Sequence, residues 1–494
     1  MFSQLAVVIS IACLLYYYFT RTFNYWTNKN VKGPKPIPLL GNYKEVALRE
    51  KHVGMLYNDI YKQYPEEKVV GLFRMTSPTL LIRDLDIVKQ VMIRDTPIFP
   101  DRATYYSKQG LGENMFHSNR ETWKYLKNEF SSVFTVHKLK NLFNLIKNSG
   151  EEFIGYMEDV TMKKSEQDVY DHVLRYTIST VMATVLGMKI DTYSDDIELF
   201  KMIDDKLKTN HYNELEMLIP GFLMKYNATL LSDQTIKFCH DIMDTSKNLP
   251  IGDQNSPRNV IDVIRNLKGK QKIDDDDDKA TIEITEDFLA AQVWVFFTAG
   301  YANNTLSLTY ALYHLAKNID VQNRLTEEID EVLTRHDNTL TYDALKEMKY
   351  LDRVFEETLR IHPPTNGLVR SVAEEVNLDG LDLTIDKDTV VVVSPYAIHH
   401  DEKYYPEPEK FDPERFLPEN VKERHPYSFL TFGVGRRSCL GSQLAKLQFG
   451  VCMAQLFSKF RVETTDNTIS KIEYDPWRLL LTPKQKIRLK FVRR

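Results

Sequence analysis

The sequence predicts a mainly α-helical body with small β-sheets, preceded by one N-terminal transmembrane helix. Three observations predict it: the first twenty residues carry no charged side chain, strand-like runs are few and short, and most of the remaining chain reads as long helices. The 494 residues hold 64 Lys plus Arg against 69 Asp plus Glu, with 43% hydrophobic and 11% aromatic residues. This composition excludes a disordered or collagen-like chain and a small disulfide-stapled scaffold, and nothing in it suggests a nucleic-acid binder. No Ser/Gly/Pro-rich linker divides the chain, so it reads as one large unit. The four cysteines, Cys13, Cys239, Cys439 and Cys452, form no CxxC pair, which argues against a disulfide framework or structural zinc and for a reducing compartment.

As a helix at about 1.5 Å per residue, residues 1–20 reach roughly 30 Å, the thickness of a bilayer core. The charged residues that follow are all basic (Arg21, Lys29, Lys32, Lys35) until Glu45, which places the downstream chain in the cytoplasm. Tyr16 to Tyr18 and Trp26 suit an interfacial aromatic belt. A cleaved secretory signal is the alternative, disfavoured by the missing basic n-region and small-residue cleavage site. Residues 21–42 form a basic, proline-rich linker, in which Pro34, Pro36 and Pro38 enforce an extended spacer, and residues 43–494 form the body.

Within the body, strand-like runs occur at Lys68 to Phe73, Thr79 to Ile82 and Thr389 to Val393. The acidic run Asp274 to Asp278, flanked by Lys272 and Lys279, repels itself and reads as a solvated loop. Phe288 to Ala316 carries no formal charge and is long enough for a second span, but Thr298, Asn303, Asn304, Thr305, Ser307 and Thr309 suit a helix crossing a soluble core better. At 3.6 residues per turn, Phe296, Ala299, Gly300, Asn303 and Ser307 share one face, and Ala299-Gly300 leaves a flat notch for a planar ligand. A further helix runs from Tyr342 to Ile361, stopped by Pro363-Pro364, with Glu357 and Arg360 at i,i+3; alone, that pair is an ordinary helical ion pair.

The segment richest in chemistry is Phe432-Gly433-Val434-Gly435-Arg436-Arg437-Ser438-Cys439-Leu440-Gly441, ahead of an amphipathic helix over Ser442 to Phe460. Three glycines around one cysteine make a tight turn that holds a thiolate beside backbone N–H groups, and a soft thiolate suits iron. A lone cysteine is otherwise a small buried hydrophobe, the reading that applies to Cys13, Cys239 and Cys452.

This segment resembles the haem-binding signature F-x-x-G-x-R-x-C-x-G of the cytochrome P450 family, at Phe432, Gly435, Arg437, Cys439 and Gly441. Glu357-Thr358-Leu359-Arg360 resembles that family's E-x-x-R, Pro413-Glu414-Arg415-Phe416 its P-E-R-F, and Trp123 to Lys127 its W-x-x-x-R with lysine in place of arginine. The anchor and proline spacer resemble the microsomal members. Phe99-Pro100-Asp101-Arg102 and Leu312 to Asn318 resemble the animal detoxifying branch. The resemblance covers nearly the whole chain.

It implies the fold of that family and a haem b cofactor whose iron is held by Cys439, with a thiolate that favours O–O cleavage. By the same resemblance Arg437, Arg370 and Trp123 hold the haem propionates. Lys127 serves as a point charge without an arginine's bidentate fork. Ala299 lies against the cofactor, and Glu357, Arg360 and Arg415 form a structural network behind it. The implied activity is a monooxygenase that inserts one atom of O2 into a lipophilic small molecule. Its electrons come from an NADPH-dependent flavoprotein reductase docking near Lys124, Arg436 and Lys446, because the glycines of this chain lack dinucleotide-loop spacing. The implied location is the endoplasmic reticulum membrane, single-pass, with the catalytic domain facing the cytosol.

One motif departs from the family pattern. Where the family has A-G-x-(Asp/Glu)-Thr to relay protons to bound dioxygen, this chain reads Ala299-Gly300-Tyr301-Ala302-Asn303. Ala302 replaces the acid and Asn303 the alcohol; an amide donates a hydrogen bond but has no titratable proton. Thr305 lies about 200° around the helix from position 303. Gly300, Ala302 and Asn303 are therefore the catalytic positions that separate two readings. One is an oxygenase with a water-borne relay; the other is an isomerase or dehydratase acting on peroxides or endoperoxides without O2 activation. A haem-bound sensor without turnover and a haem-free membrane scaffold are further alternatives. Leu215 to Tyr226 reads either as a loop dipping into lipid or as a core segment, and Thr104 to His117, with Tyr105, Tyr106 and Phe116, resembles the family's substrate-facing loop.

Overall fold

The computed structural model describes residues 2–103, 111–194, 197–209, 211–219, 221–229, 231–250, 257–268, 272–274 and 281–494. Tyr105 and Tyr106 of the substrate-facing loop, Pro220, and Asp275 to Lys279 of the acidic run lie outside the described residues.

Residues Phe2–Thr20 form a helix whose side chains from Gln4 to Tyr18, Leu5, Val8 and Leu14 among them, are exposed. Among the described residues, no helix is long and apolar enough to cross a membrane, so the expected transmembrane span is not supported. This helix has 19 residues, and Gln4, Ser10 and three tyrosines interrupt its apolar sequence. The segment expected to be a spacer is docked instead. Trp26, expected at a membrane interface, is buried, and its indole N–H donates to the Leu72 carbonyl at 3.0 Å. The Gly71 N–H donates to the Lys32 carbonyl at 2.9 Å, and Gly33 crosses Gly71 so closely that a Cβ there would lie 1.8 Å from the Gly71 oxygen.

Trp26 thus covers the edge of a four-stranded sheet. Strands β1 (Val69–Arg74) and β2 (Ser77–Ile82) pair antiparallel, β2 runs parallel to β4 (Val390–Val393), and β4 pairs antiparallel with β3 (Leu368–Ser371), in the order β1-β2-β4-β3. The near-continuous apolar runs of β1 and β4, VVGLFR and VVVV, follow from burial on both faces. These strands lie within a residue or two of the three sequence runs. A separate small sheet joins Phe460–Thr464, Arg488–Arg493 and Gln167–Asp168.

The rest is helical. The central helix, Glu286–Lys317, starts where the Thr285 hydroxyl accepts the Phe288 N–H at 3.0 Å, and it is buried along most of its length. Its polar residues are satisfied by neighbouring helices: Thr305 bonds Thr177 at 2.7 Å on the helix Val169–Thr184, and Asn304 donates to Gln448 on the helix Ser442–Phe457. It crosses a protein core, not lipid.

Two expected elements differ. Tyr342 to Ile361 is two helices, Tyr342–Glu347 and Lys349–Ile361, because Met348 leaves helical geometry at ψ 76°. The helix after Gly441 ends at Phe457 and is buried nearly all round, not amphipathic, since Leu444 to Phe457 are enclosed by several helices.

Candidate active site

The loop Phe432 to Gly441 is shaped by its glycines. Gly433 and Gly435 sit at φ +64° and +77°, and a Cβ on Gly435 would meet the Met92 carbonyl oxygen at 2.0 Å. The Cys439 N–H donates to the Phe432 carbonyl at 2.8 Å and the Ser438 N–H to Gly435 at 3.2 Å, which folds the loop back on itself. Gly441 then opens the helix Ser442–Phe457. Cys439 is accessible although protein surrounds it, as expected of a group lining an internal hollow. Burial pushes its thiol up, while the Gly441 N–H and the nearby Arg102 pull it down, so a bound cation would decide in favour of thiolate.

Beside this thiol the fold gathers guanidinium groups. Arg437 is nearly buried; it pairs with Asp101 at 3.1 Å, donates to the Ser118 carbonyl at 3.3 Å and lies 4.4 Å over the Trp123 ring, while its Nε is buried without a partner. Burial lowers Arg437 to about 10, and burial together with Arg437 lowers Arg370, on β3, to about 10. Burial and the charges of Arg370 and Arg437 press Arg102 well below its ordinary value, and burial raises Asp101. Arg102, Arg370 and Arg437, with Arg120 beside them, outnumber the carboxylates Asp101 and Glu121 and leave positive charge uncompensated. A ligand bearing two carboxylates, such as haem, fits that surplus and would occupy the orphaned Nε. Lys127 sits one helical turn from Trp123, with its ammonium 5.2 Å from that ring, and donates to the Arg436 carbonyl; burial, then Arg436 and Arg437, lower it. Trp123, Arg370, Arg436 and Arg437 line a cavity of about 40 Å³ with Pro97 and Arg120. Arg437, Arg370, Trp123 and Lys127 thus lie together in the structure. Arg102 was missed as a site residue: its Phe99-Pro100-Asp101-Arg102 segment marked only a family branch.

Behind the loop, Arg360 is wholly buried. It donates to Glu357 at 2.7 and 2.9 Å and to the carbonyls of His399 and Pro408 at 2.9 and 2.8 Å, and Arg415 approaches Glu357 at 3.5 Å. His399, which no motif flagged, completes the frame. Its Nδ1–H donates to the Arg360 carbonyl at 3.1 Å, and its Nε2 accepts the Leu430 N–H at 2.9 Å, two residues before Phe432. Burial keeps this imidazole neutral, which leaves Nε2 free to accept.

On the central helix, Ala299 is exposed although most of the helix around it is buried, and Phe296 and Asn303 are partly accessible, so this stripe walls a hollow. Phe134 bridges to the cysteine loop: it lies 3.9 Å from the Cβ position of Gly441, and its ring centroid is 5.9 Å from that of Phe296. The notch expected at Gly300 is a correction. A Cβ there would strike Val181 at 2.9 Å, so this glycine admits the helix Val169–Thr184 and not a planar ligand. Ser307 is buried and bonds the Asn303 carbonyl. Ala302 is buried as well. Asn303 donates one amide N–H to the Ala299 carbonyl at 3.0 Å. Its second N–H and its oxygen remain available.

Of the basic residues expected to meet a reductase, Lys124 and Arg436 are exposed, and Lys446 pairs with Asp352 at 3.1 Å. In the Leu215 to Tyr226 segment, Ile219, Met224 and Tyr226 are exposed while Leu223 is buried. Cys239 and Cys452 are buried, with thiols raised by burial, and Cys13 is exposed.

Comparison with known proteins agrees with this geometry. The cytochrome P450 family model matches residues 31–491. The chain is similar to cytochrome P450 6B2 of Helicoverpa armigera, at 40% identity over 493 residues covering 99% of this chain and 98% of that one. It is similar to cytochrome P450 6B1 of Papilio polyxenes, at 41% identity over 500 residues and the full length of both. Cytochrome P450 6j1 of Blattella germanica is 30% identical over 484 residues, covering 96% of this chain and 94% of that one.

Proposed function

This chain belongs to the cytochrome P450 family and is a haem-thiolate monooxygenase, and from that premise we propose that Cys439 is the axial ligand, that the substrate is a lipophilic small molecule, and that an NADPH-dependent flavoprotein reductase supplies the electrons. The observation that carries the assignment of Cys439 is its accessible thiol beside an uncompensated guanidinium cluster.

The haem iron, when bound, supplies activation of O2 and insertion of one oxygen atom into substrate. Cys439 would hold the iron from a loop fixed by Gly433, Gly435 and the His399 frame. The Gly441 N–H and Arg102 would stabilise its thiolate, and Arg102, Arg370 and Arg437 would pair the propionates, with Trp123 against Arg437 and Lys127 adding a point charge. Asn303 has no titratable proton and holds one of its two amide N–H groups on Ala299, so protons on this wall would travel through water at the Ala299–Asn303 stripe.

Residence at the endoplasmic reticulum membrane, with the body facing the cytosol, belongs to the same reading. Its support is the exposed apolar helix Phe2–Thr20 and the exposed apolar side chains of Ile219, Met224, Tyr226, Trp477 and Leu479. The Leu479 N–H on the Leu207 carbonyl at 3.2 Å and the Thr209 N–H on the Trp477 carbonyl at 2.7 Å tie the segment around residues 477–479 to residues 207–209, just before the helix His211–Leu218. Substrate arriving from lipid is lipophilic.

The test is turnover of a lipophilic panel, including a fatty-acid hydroperoxide and an endoperoxide, by wild type and Cys439→Ser, with and without NADPH and reductase. The expected product requires both additions, and Cys439→Ser loses the thiolate-haem spectrum together with turnover. Product from peroxides alone would make the enzyme an isomerase. A thiolate spectrum persisting in Cys439→Ser would overturn the ligand assignment.

A further inference from the structure

We propose that Gln292 is a specificity-positioning residue: it suspends the loop Leu111 to Ser118 above the hollow and so sets the size of ligand that the hollow admits. The proposal rests on the haem reading above and concerns a residue to which no motif gives a role.

Gln292 lies in the central helix seven residues before Ala299. Seven residues are almost two turns, so it shares the face of Ala299 about 10 Å along the axis. It is fully buried, and three of the four hydrogen-bonding valences of its amide are used: Oε1 accepts the Met115 N–H at 2.9 Å, and Nε2 donates both its hydrogens, to the Glu113 carbonyl at 3.1 Å and the Phe288 carbonyl at 2.9 Å. One side chain therefore pairs with a loop backbone as a strand would, accepting from one residue and donating to another two positions away.

The far end of the same loop is tied to the cation cluster. Arg102 donates to the Phe116 carbonyl at 2.7 Å, and its guanidinium carbon sits 4.1 Å from the Phe116 ring centroid; Arg437 donates to the Ser118 carbonyl. Between the ties the loop is rigid, because the buried Asn114 accepts the N–H groups of Phe116 and His117 at 3.0 and 3.2 Å. The loop thus spans from the wall carrying Ala299 to the cluster beside Cys439 and forms a ceiling over the hollow. Phe116 is 47% exposed, with the Arg102 guanidinium against its ring. The Arg102 and Arg437 ties lie in the haem cluster, and the Gln292 tie lies outside it, so Gln292 controls the height of the ceiling independently of haem binding.

The test compares Gln292→Met, and Gln292→Glu as a second variant, with Gln448→Met. The control deletes an equally buried amide on the opposite side of the central helix, where Gln448 bonds Asn304 and Thr180. Each holoenzyme is titrated with imidazole, which is too small to reach the ceiling, and with clotrimazole, which is large enough. Binding is followed by the haem difference spectrum and hydrogen exchange at the Met115 amide. The expected result is clotrimazole binding weakened about tenfold in the Gln292 variants, imidazole changed less than about twofold, and Met115 exchange accelerated; Gln448→Met does none of these. Equal shifts for both azoles, or the same pattern from Gln448→Met, would overturn the proposal. If wild type gave no azole spectrum, the haem reading would fail, while Met115 exchange would still decide whether Gln292 clamps the loop.

Discussion

The two walls of the hollow are built by opposite rules. On the Cys439 side, the loop's backbone folds onto itself, and the frame behind it uses ionised and neutral groups in fixed roles: Arg360 donates to Glu357 and three backbone carbonyls, and His399 holds Leu430. On the central-helix side, the accessible stripe of Phe296, Ala299 and Asn303 carries no titratable group, and its one polar side chain is turned back onto the helix. The first wall is over-determined, and one wrong atom costs the whole site. The second is permissive, and its residues tune what enters and how protons arrive.

The severest way to break the first wall is Arg360→Lys. An ammonium offers three donors and no fork, so Glu357 and the carbonyls of His399 and Pro408 cannot all be satisfied; breaking a buried pair of this kind costs about 3–5 kcal/mol. The expected outcome is almost no haem-loaded protein, measured as haem content per folded chain. Normal loading would show that the frame is dispensable.

A smaller effect sharpens the contrast through pH. Burial holds the folded-state value of His399 well below its unfolded 6.5, so below that pH the unfolded chain binds the extra proton. The stability from the neutral imidazole is full above pH 6.5 and is lost as pH falls, at up to about 1.4 kcal/mol per pH unit. His399→Gln keeps one donor and one acceptor but cannot titrate. Its melting temperature is expected to fall less steeply than wild type between pH 6.5 and 5; identical slopes would contradict the assignment.

On the permissive wall the effect is smallest. Asn303→Thr places a hydroxyl on the stripe, and the share of NADPH electrons recovered in product is expected to rise about two- to threefold with haem content unchanged. Unchanged coupling would mean that water already delivers the protons at full efficiency.

The same asymmetry governs what could be read from the chain alone. The cysteine loop was legible because a positive-φ turn, a thiol and a helix start demand particular residues at fixed spacing. Phe432 to Gly441, Glu357 and Arg360 accordingly fall where their pattern implied. Arg102 stood out only as part of a branch motif, and His399 and Gln292 belong to no local pattern; each acts through a backbone distant in sequence, which spacing does not encode. Periodicity placed Ala299 and Gly300 on one face but could not reveal that Val181 fills the space beside Gly300. Nor did residue types at 348 announce a helix break, since Met is a good helix former and the turn there is imposed by packing. Strands β1, β2 and β4 were visible as apolar runs, whereas their mixed parallel and antiparallel order was not.

The docking of Trp26 under the sheet has a mechanical consequence. Only residues 21–25 separate the helix Phe2–Thr20 from an immobilised residue of the body, a leash of about 17 Å at full stretch if that helix is held at a membrane. So short a leash leaves the body little room to roll or lift. The anchor would then act as an orienting device as well as a tether, keeping one side of the enzyme against the bilayer and the other turned toward the cytosol.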